Sequence, residues 1–218
     1  IVVVVGEAGI GKSRLLAAAE AHARDAGLAW TWTENVSYGR GEPYRFARLF
    51  AQTLADEHGV DSGNLTRRLV FTADLTPDDA RRLGGAIAAI ARDASFTGWE
   101  EEAPYAPIDP AEVASGLTDV ARRYIDRLMT LDGPRAVVID DLHWLDPSSV
   151  TLVDLLVEAT ADRPLVLLAG TRPTGYPAWV DRPDVHRIDL TGLAEPETAR
   201  LATLVARAAF EADGIRSI

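Results

Sequence analysis

The chain has no cysteine at all, which excludes disulfide cross-links and thiolate metal sites together. Its four histidines, His22, His58, His143 and His186, are scattered, and no two stand at the helical spacing of a metal-ligand pair. No apolar run approaches the ~20 residues needed to span a bilayer. No signal peptide is legible, because Ile1 already lies in the first strand-like run. Positive charge is in short supply, with 22 Lys and Arg against 33 Asp and Glu. The resulting charge of −11 and pI near 4.8 exclude a surface of clustered cations for direct nucleic-acid contact. Internal repeats and low-complexity segments are also missing. What remains is 218 residues with 47% hydrophobic content, which suits one sizeable core in a single α/β domain. The expectation is a cytoplasmic protein without membrane partners. A chain that opens with Ile1 inside a strand, without an initiator Met, reads as a domain cut from a longer protein.

Against that background one segment stands out. Ile1-Val2-Val3-Val4-Val5 is followed at once by Gly6-Glu7-Ala8-Gly9-Ile10-Gly11-Lys12-Ser13. The pattern is G-x-x-x-x-G-K-[ST], set between a strand and a helix as a phosphate-binding loop requires. Gly6, Gly9 and Gly11 permit backbone angles that a Cβ would penalise, so successive N–H groups can converge on one anion. The helix from Lys12 adds its positive end. Lys12 is expected to reach the β- and γ-phosphates, and Ser13 to ligate Mg²⁺. The nucleotide-binding set is therefore Gly6, Glu7, Ala8, Gly9, Ile10, Gly11, Lys12, Ser13 and Arg14, and the ligand a nucleoside triphosphate.

The rest of the chain alternates between strand and helix, the pattern of a parallel sheet covered on both faces. The first helix runs from Lys12 to about Ala26, with Leu15, Ala19 and Ala23 as its apolar stripe and Gly27 as its stop. A second strand spans Leu28 to about Val36, and a helix Pro43 to about Glu57 carries Phe46, Leu49, Phe50 and Leu54 at helical spacing. Further strands are expected at Arg135–Asp140, Pro164–Gly170 and His186–Leu190, with a last helix over Glu195 to about Ala209. Asp146 is a natural N-cap, with Pro147 at the first helical position and Val150, Val153, Leu156 and Val157 as the stripe behind it. Residues from about 59 to 133 contain helical pieces at Asp78–Arg92 and Pro110–Leu131 around a Gly-, Pro- and acid-rich stretch. They are too long for a simple crossover, so a helical insertion on the sheet edge is expected.

A phosphate-binding loop needs a carboxylate on a neighbouring strand, and Val137-Val138-Ile139-Asp140-Asp141 supplies one. Asp140, at the strand's C-terminal end, is the expected Mg²⁺ partner. Asp141 should point elsewhere by strand alternation, where it either orients and deprotonates an attacking water or simply caps the strand end.

Gly6–Leu16, Ser37–Tyr44 (SYGRGEPY), Asp140–Ser149 (DDLHWLDPSS) and Gly170–Pro173 (GTRP) together resemble one family. It is the AAA- or STAND-type signalling ATPase module found behind bacterial class III adenylate and guanylate cyclase domains and in large LuxR-type transcriptional regulators. Gly175–Leu193 resembles the segment that follows in cyclase-linked members. The resemblance covers most of the chain apart from the 59–133 region. It implies a P-loop NTPase three-layer sandwich with a five-stranded, mainly parallel sheet and helices on both faces. It also implies ATP and Mg²⁺ as ligands, flanking output domains in the same chain and nucleotide-dependent self-association. Arg172 matches the family's sensor arginine that touches the γ-phosphate; the alternative is a solvated arginine at a strand end. His143 and Trp144 read as a packed pair, and Asp146 as the helix cap rather than a ligand. The family's adenine-contacting Gly-Arg-Glu motif and its winged-helix lid are expected upstream and downstream of these residues.

Competing classes fit less well. No Asn-Lys-x-Asp or Thr-Lys-x-Asp segment supports a GTPase. Ser115-Gly116-Leu117-Thr118 only partly resembles a transporter-ATPase signature, and the acidic insertion is unlike a kinase lid. The expected function is a slow, regulatory ATPase switch with Lys12, Asp141 and Arg172 as its catalytic groups. A module of the same architecture that binds ATP with little or no hydrolysis is the alternative.

Overall fold

Five short strands assemble into one sheet in which every neighbouring pair is parallel. In the computed structural model, which describes residues 1–36, 42–70, 75–91 and 110–204, these are β1 (Val2–Val5), β2 (Ala29–Glu34), β3 (Arg135–Asp140), β4 (Leu165–Thr171) and β5 (His186–Asp189), in the order β2-β3-β4-β1-β5. Val5 stands opposite Thr171 on one side and Asp189 on the other, while Glu34 pairs with Asp140. Parallel strands need crossovers, and the crossovers place helices on both faces. The fold is α/β, of the P-loop NTPase kind.

Strand alternation divides the sheet cleanly. Val3, Val5, Val137, Ile139, Leu167 and Ala169 face one core, and Val4, Ala136, Val138 and Trp30 face the other. The helix α1 (Lys12–Asp25) covers the second face. Its buried anchor is Leu16, 1% exposed, whereas Leu15 is 40% exposed. The expected stripe is therefore corrected to Leu16, Ala19 and Ala23. Leu15 and Leu16 both recur with these alanines at helical spacing, and only the approach of the sheet chooses between them. Gly27 (φ 77°) ends the helix, with its N–H donating to the Arg24 carbonyl and the Leu28 N–H to that of Ala23.

On the opposite face lie α2 (Arg45–His58) and α6 (Val150–Ala159). Outside them pack α3 (Ser62–Val70), α4 (Pro77–Ala91) and α5 (Pro110–Asp132). The helices α4 and α5 lie near the expected Asp78–Arg92 and Pro110–Leu131, while α3 was not anticipated. These three helices pack against α2 and α6 and extend that core outward. The Gly- and Pro-rich stretch around residues 97–109 lies outside the described residues, as do 205–209 of the last expected helix, α7, which is helical over 195–204.

Gly116 explains the fragment that resembled a transporter signature. A Cβ there would sit 2.7 Å from the Arg82 carbonyl oxygen and 2.9 Å from Ala86 Cβ, so the glycine lets α5 lie close against α4. Arg82 of α4 locks the pair by donating to Ser115 (3.1 Å) and Asp119 of α5, and it also donates to Asp79 (3.0 Å) on its own helix. Among the described residues, no helix is long and apolar enough to cross a membrane.

Candidate functional site

The C-terminal ends of β1, β3 and β4 are neighbours in the sheet, so whatever follows each strand gathers at one edge. After β1 comes the glycine loop. Gly9 (φ 75°) and Gly11 (φ 107°) adopt the left-handed angles expected of them. Gly6 does not. What forbids a side chain there is space, since a Cβ would lie 2.7 Å from Ile10 Cγ2 and 3.3 Å from Leu190 Cβ. The expectation of a dihedral role for Gly6 is corrected accordingly. The loop is tied to the sheet by the Gly6 N–H donating to the Thr171 carbonyl (3.1 Å).

Lys12 is 6% exposed although it stands at the start of a helix. Its Nζ donates to the carbonyls of Gly6 (3.0 Å) and Glu7 (2.9 Å), folding the ammonium across the inside of the loop. No side chain caps the N-terminus of α1, so the positive end of that helix is left for a ligand. Glu7, Ala8, Gly9, Ser13 and Arg14 are exposed around this cradle, and Ile10 and Gly11 are half-buried.

Asp140 ends β3 at 2% exposure. Its Oδ1 accepts from the Asp141 N–H (2.9 Å) and lies over Gly170 of β4, where a Cβ would come within 2.6 Å of it. The same imagined Cβ would be 3.2 Å from Leu16, which puts the Asp140 carboxylate on the α1 side of the sheet. Asn35 clamps this strand end from β2, its backbone and side-chain N–H groups both donating to the Asp140 carbonyl at 3.2 Å.

Asp141 departs from β3 by a different device from the one expected. The strand stops at Asp140, and Asp141 takes a left-handed backbone (φ 51°) that opens the 3₁₀ turn Leu142–Trp144. It is this turn, and not strand pleating, that diverts its side chain. The Asp141 carboxylate is 35% exposed and lies 3.9 Å from His143 Nδ1. The His143 and Trp144 rings pack at 5.0 Å, as the sequence had them. Arg172, directly after β4, holds its guanidinium 5.6 Å from the centre of the Trp144 ring.

Two groups carried no signal in the sequence. Asn35 is one. Thr171 is the other: fully buried beside the loop, its Oγ1 has no hydrogen-bond partner among the described residues. Asp146 holds the N-cap assigned to it, accepting from Ser149 N (3.0 Å). It also accepts from the N–H groups of Tyr44 (3.0 Å) and Phe46 (3.3 Å), which pins the start of α2 to this turn. Residues 37–41 of the loop preceding Tyr44 lie outside the described residues.

Chemically, the edge offers an anion cradle with one buried ammonium, one buried carboxylate and one half-exposed carboxylate. Among the described residues there is no cluster of three or more His, Asp or Glu side chains that would hold a metal alone. A hydroxyl and a single carboxylate are a donor set that Mg²⁺ accepts when phosphate oxygens and water complete its shell.

A parallel sheet in this order, with a glycine loop feeding a helix, defines a P-loop nucleotide-binding domain. Residues 1–168 match the AAA ATPase domain family, and the chain belongs to that family. Membership gives it a nucleotide-binding, ATPase-type function. An uncharacterized protein of Rhizobium meliloti (strain 1021) is 26% identical over 216 residues, an alignment that covers 93% of this chain and 19% of the relative. The chain thus spans about a fifth of that relative's length. Arg172 lies beyond the family match.

Proposed function

We propose that this chain is a regulatory switch that binds ATP·Mg²⁺, hydrolyses it slowly, and passes the nucleotide state to an attached output domain of the cyclase or transcriptional-regulator kind. The observation that carries the reading is the convergence at one sheet edge of the Lys12 loop, Asp140 and Arg172, from three adjacent strands. In this reading residues 6–14 hold the triphosphate, with Lys12 exchanging the Gly6 and Glu7 carbonyls for the β- and γ-phosphates. Ser13 and Asp140 would hold Mg²⁺, which supplies charge neutralisation on the phosphates when bound. Asp141 orients and accepts a proton from the attacking water. Arg172 leaves Trp144 for the γ-phosphate and so couples that group to the turn Leu142–Trp144. The long relative, of which this chain matches only a fraction, supports a setting among further domains, whose identity and nucleotide-dependent self-association are part of the proposal.

One observation favours the alternative of a module that binds ATP and scarcely hydrolyses it. The Asp141 carboxylate lies near His143, within reach of an ion pair when the imidazole is protonated. Single-turnover hydrolysis with radiolabelled ATP, beside ATP and ADP titrations, tests the proposal. Turnover that depends on Mg²⁺, together with tighter binding of ATP than of ADP, supports the switch. Binding without turnover favours the alternative, and no nucleotide binding removes both.

A further inference from the structure

On the sheet face opposite α1, the helices leave a cavity of about 330 Å³ between α2, α3, α4, α5 and the start of α6. Its wall is mainly apolar, built from side chains such as Phe50, Ile87, Ala121 and Leu155, and among the described residues no charged one contributes to it. Hydroxyl-bearing side chains interrupt that wall, and two of them stand out. Thr66, 4% exposed, and Ser149, 1% exposed, both line the cavity, and neither Oγ has a hydrogen-bond partner among the described residues. Unpaired buried hydroxyls are costly and uncommon, so two of them on one cavity wall point to a partner that the described residues do not provide. A volume in this range, an apolar wall and a few placed polar groups are the marks of a small-molecule site.

The cavity is also wired to the nucleotide edge. Tyr44, on its wall, has a left-handed backbone (φ 59°), which a bulky residue adopts only when its surroundings hold it there. The Asp146 carboxylate holds it, its Oδ1 accepting from the Tyr44 N–H and also from the N–H of Ser149, which lines the cavity too. Asp146 in turn follows the turn Leu142–Trp144, which Asp141 opens and on which Arg172 stacks. Whatever spreads Tyr44 from Ser149 therefore pulls on that turn.

We propose that this cavity is a regulatory site for a neutral, mainly apolar small molecule carrying hydrogen-bonding groups, which engages Thr66 and Ser149. The effect on the nucleotide edge rests on the function proposed above, whereas the binding site does not, so the two are tested separately. Without nucleotide, saturation-transfer NMR on the 218-residue chain would compare 4-phenylphenol with its charged counterpart 4-phenylbenzoate. The phenol should bind and the carboxylate should not, because no cation among the described residues lines the wall. Thr66→Val and Ser149→Ala should each weaken the phenol by about fivefold, the scale of a lost hydrogen bond, without lowering the melting temperature. Ala121→Leu should abolish binding by filling the space. Absence of binding to the unmodified chain, equal binding by Ala121→Leu, or equal binding of the carboxylate would overturn the site. ATP titrations with and without saturating 4-phenylphenol then read the coupling, which should shift ATP affinity by about fivefold or more. Binding with no such shift would overturn the regulatory role, and nucleotide binding that fails altogether would count against the proposed function and not against the cavity.

Discussion

Lys12 is the one lysine in the chain, and its replacement gives the sharpest measurement available. In the structure its ammonium donates to two loop carbonyls, Gly6 at 3.0 Å and Glu7 at 2.9 Å. Lys12→Ala removes both bonds, but the loop is open to solvent at Glu7, Ala8 and Gly9 and its carbonyls can rehydrate. Net losses of about 0.5–1.5 kcal/mol per hydrogen bond then set the cost to folding at about 1–3 kcal/mol. For a chain of this size that is a fall in melting temperature of about 2–12 °C, well short of unfolding. Binding should suffer more. Two charge-assisted bonds to phosphate contribute about 3–6 kcal/mol, less about 2 kcal/mol for the carbonyls the ammonium gives up. The net of about 1–4 kcal/mol corresponds to an affinity loss of roughly 5- to 1000-fold.

Calorimetric titration with ATP·Mg²⁺ beside thermal melts measures both quantities. A lone lysine adds an independent check, because peptide mapping after limited acylation reports on a single ε-amine. ATP should slow acylation of Lys12. A Lys12→Ala chain that binds ATP within threefold of the unmodified chain, or a Lys12 acylation rate indifferent to ATP, would refute the placement of the triphosphate in this loop.

Asp140→Asn should weaken ATP binding only when Mg²⁺ is present, whereas Asp141→Asn should keep affinity and slow single-turnover hydrolysis by on the order of 10²-fold. Identical behaviour of the two variants in titrations with and without Mg²⁺ would dissolve that division of labour. Arg172→Ala should cost ATP about 1.5–3 kcal/mol of binding and leave ADP nearly unchanged, and Arg172→Lys should rescue it only in part because a point charge lacks the guanidinium fork. The ATP-to-ADP affinity ratio decides it, with an equal loss for both nucleotides returning Arg172 to a strand-end arginine. Gly170→Ala should displace the Asp140 carboxylate, since the new Cβ would stand 2.6 Å from Oδ1. Its Mg²⁺-dependent binding should fall towards that of Asp140→Asn, and Mg²⁺-dependent ATP affinity equal to that of the unmodified chain would show that Asp140 is not constrained by β4.

Candidate site residues carried by local motifs were legible, and the contacts that tie those motifs together across the fold were not. The glycine loop declares itself because its spacing and its flanking strand and helix are all local. The β3 strand was bounded correctly at Arg135–Asp140 because every residue in it is buried, and a run of that kind between Gly133-Pro134 and a second acid has few other readings. The helix α3 was missed because Ser62, Gly63 and Asn64 open it with poor helix formers, and its stability comes from burying Leu65, Leu69 and Val70 against its neighbours. Asp146 was readable as a cap for the turn it begins, but its bonds to Tyr44 and Phe46 join positions about a hundred residues apart. Thr171 and Asn35 gain their positions from strand order, and nothing in their own neighbourhoods of sequence announces it.

A distinction between held and movable groups runs through the site and bears on how it would switch. Asp140 and Thr171 sit on strands, at 2% and 0% exposure, with their backbones hydrogen-bonded to neighbours on the sheet or to the loop. Shifting either would disturb the sheet itself. Asp141 and Arg172 begin where the strands end, are partly exposed, and are held by contacts that a ligand can replace: a 3.9 Å approach to His143 and a ring stacked at 5.6 Å. Lys12 lies between these extremes, buried yet attached only to carbonyls of a loop with two left-handed glycines. In the proposed switch the fixed groups match what must stay constant in every nucleotide state, the position of the phosphates and their cation. The movable groups would, in the same proposal, match what must differ, a contact made with a γ-phosphate and lost without it. In the proposed switch, Arg172 leaving Trp144 would uncover the turn that Asp141 opens and that leads into Asp146, so the ring on which Arg172 rests and the tie to the start of α2 lie on one continuous stretch of backbone.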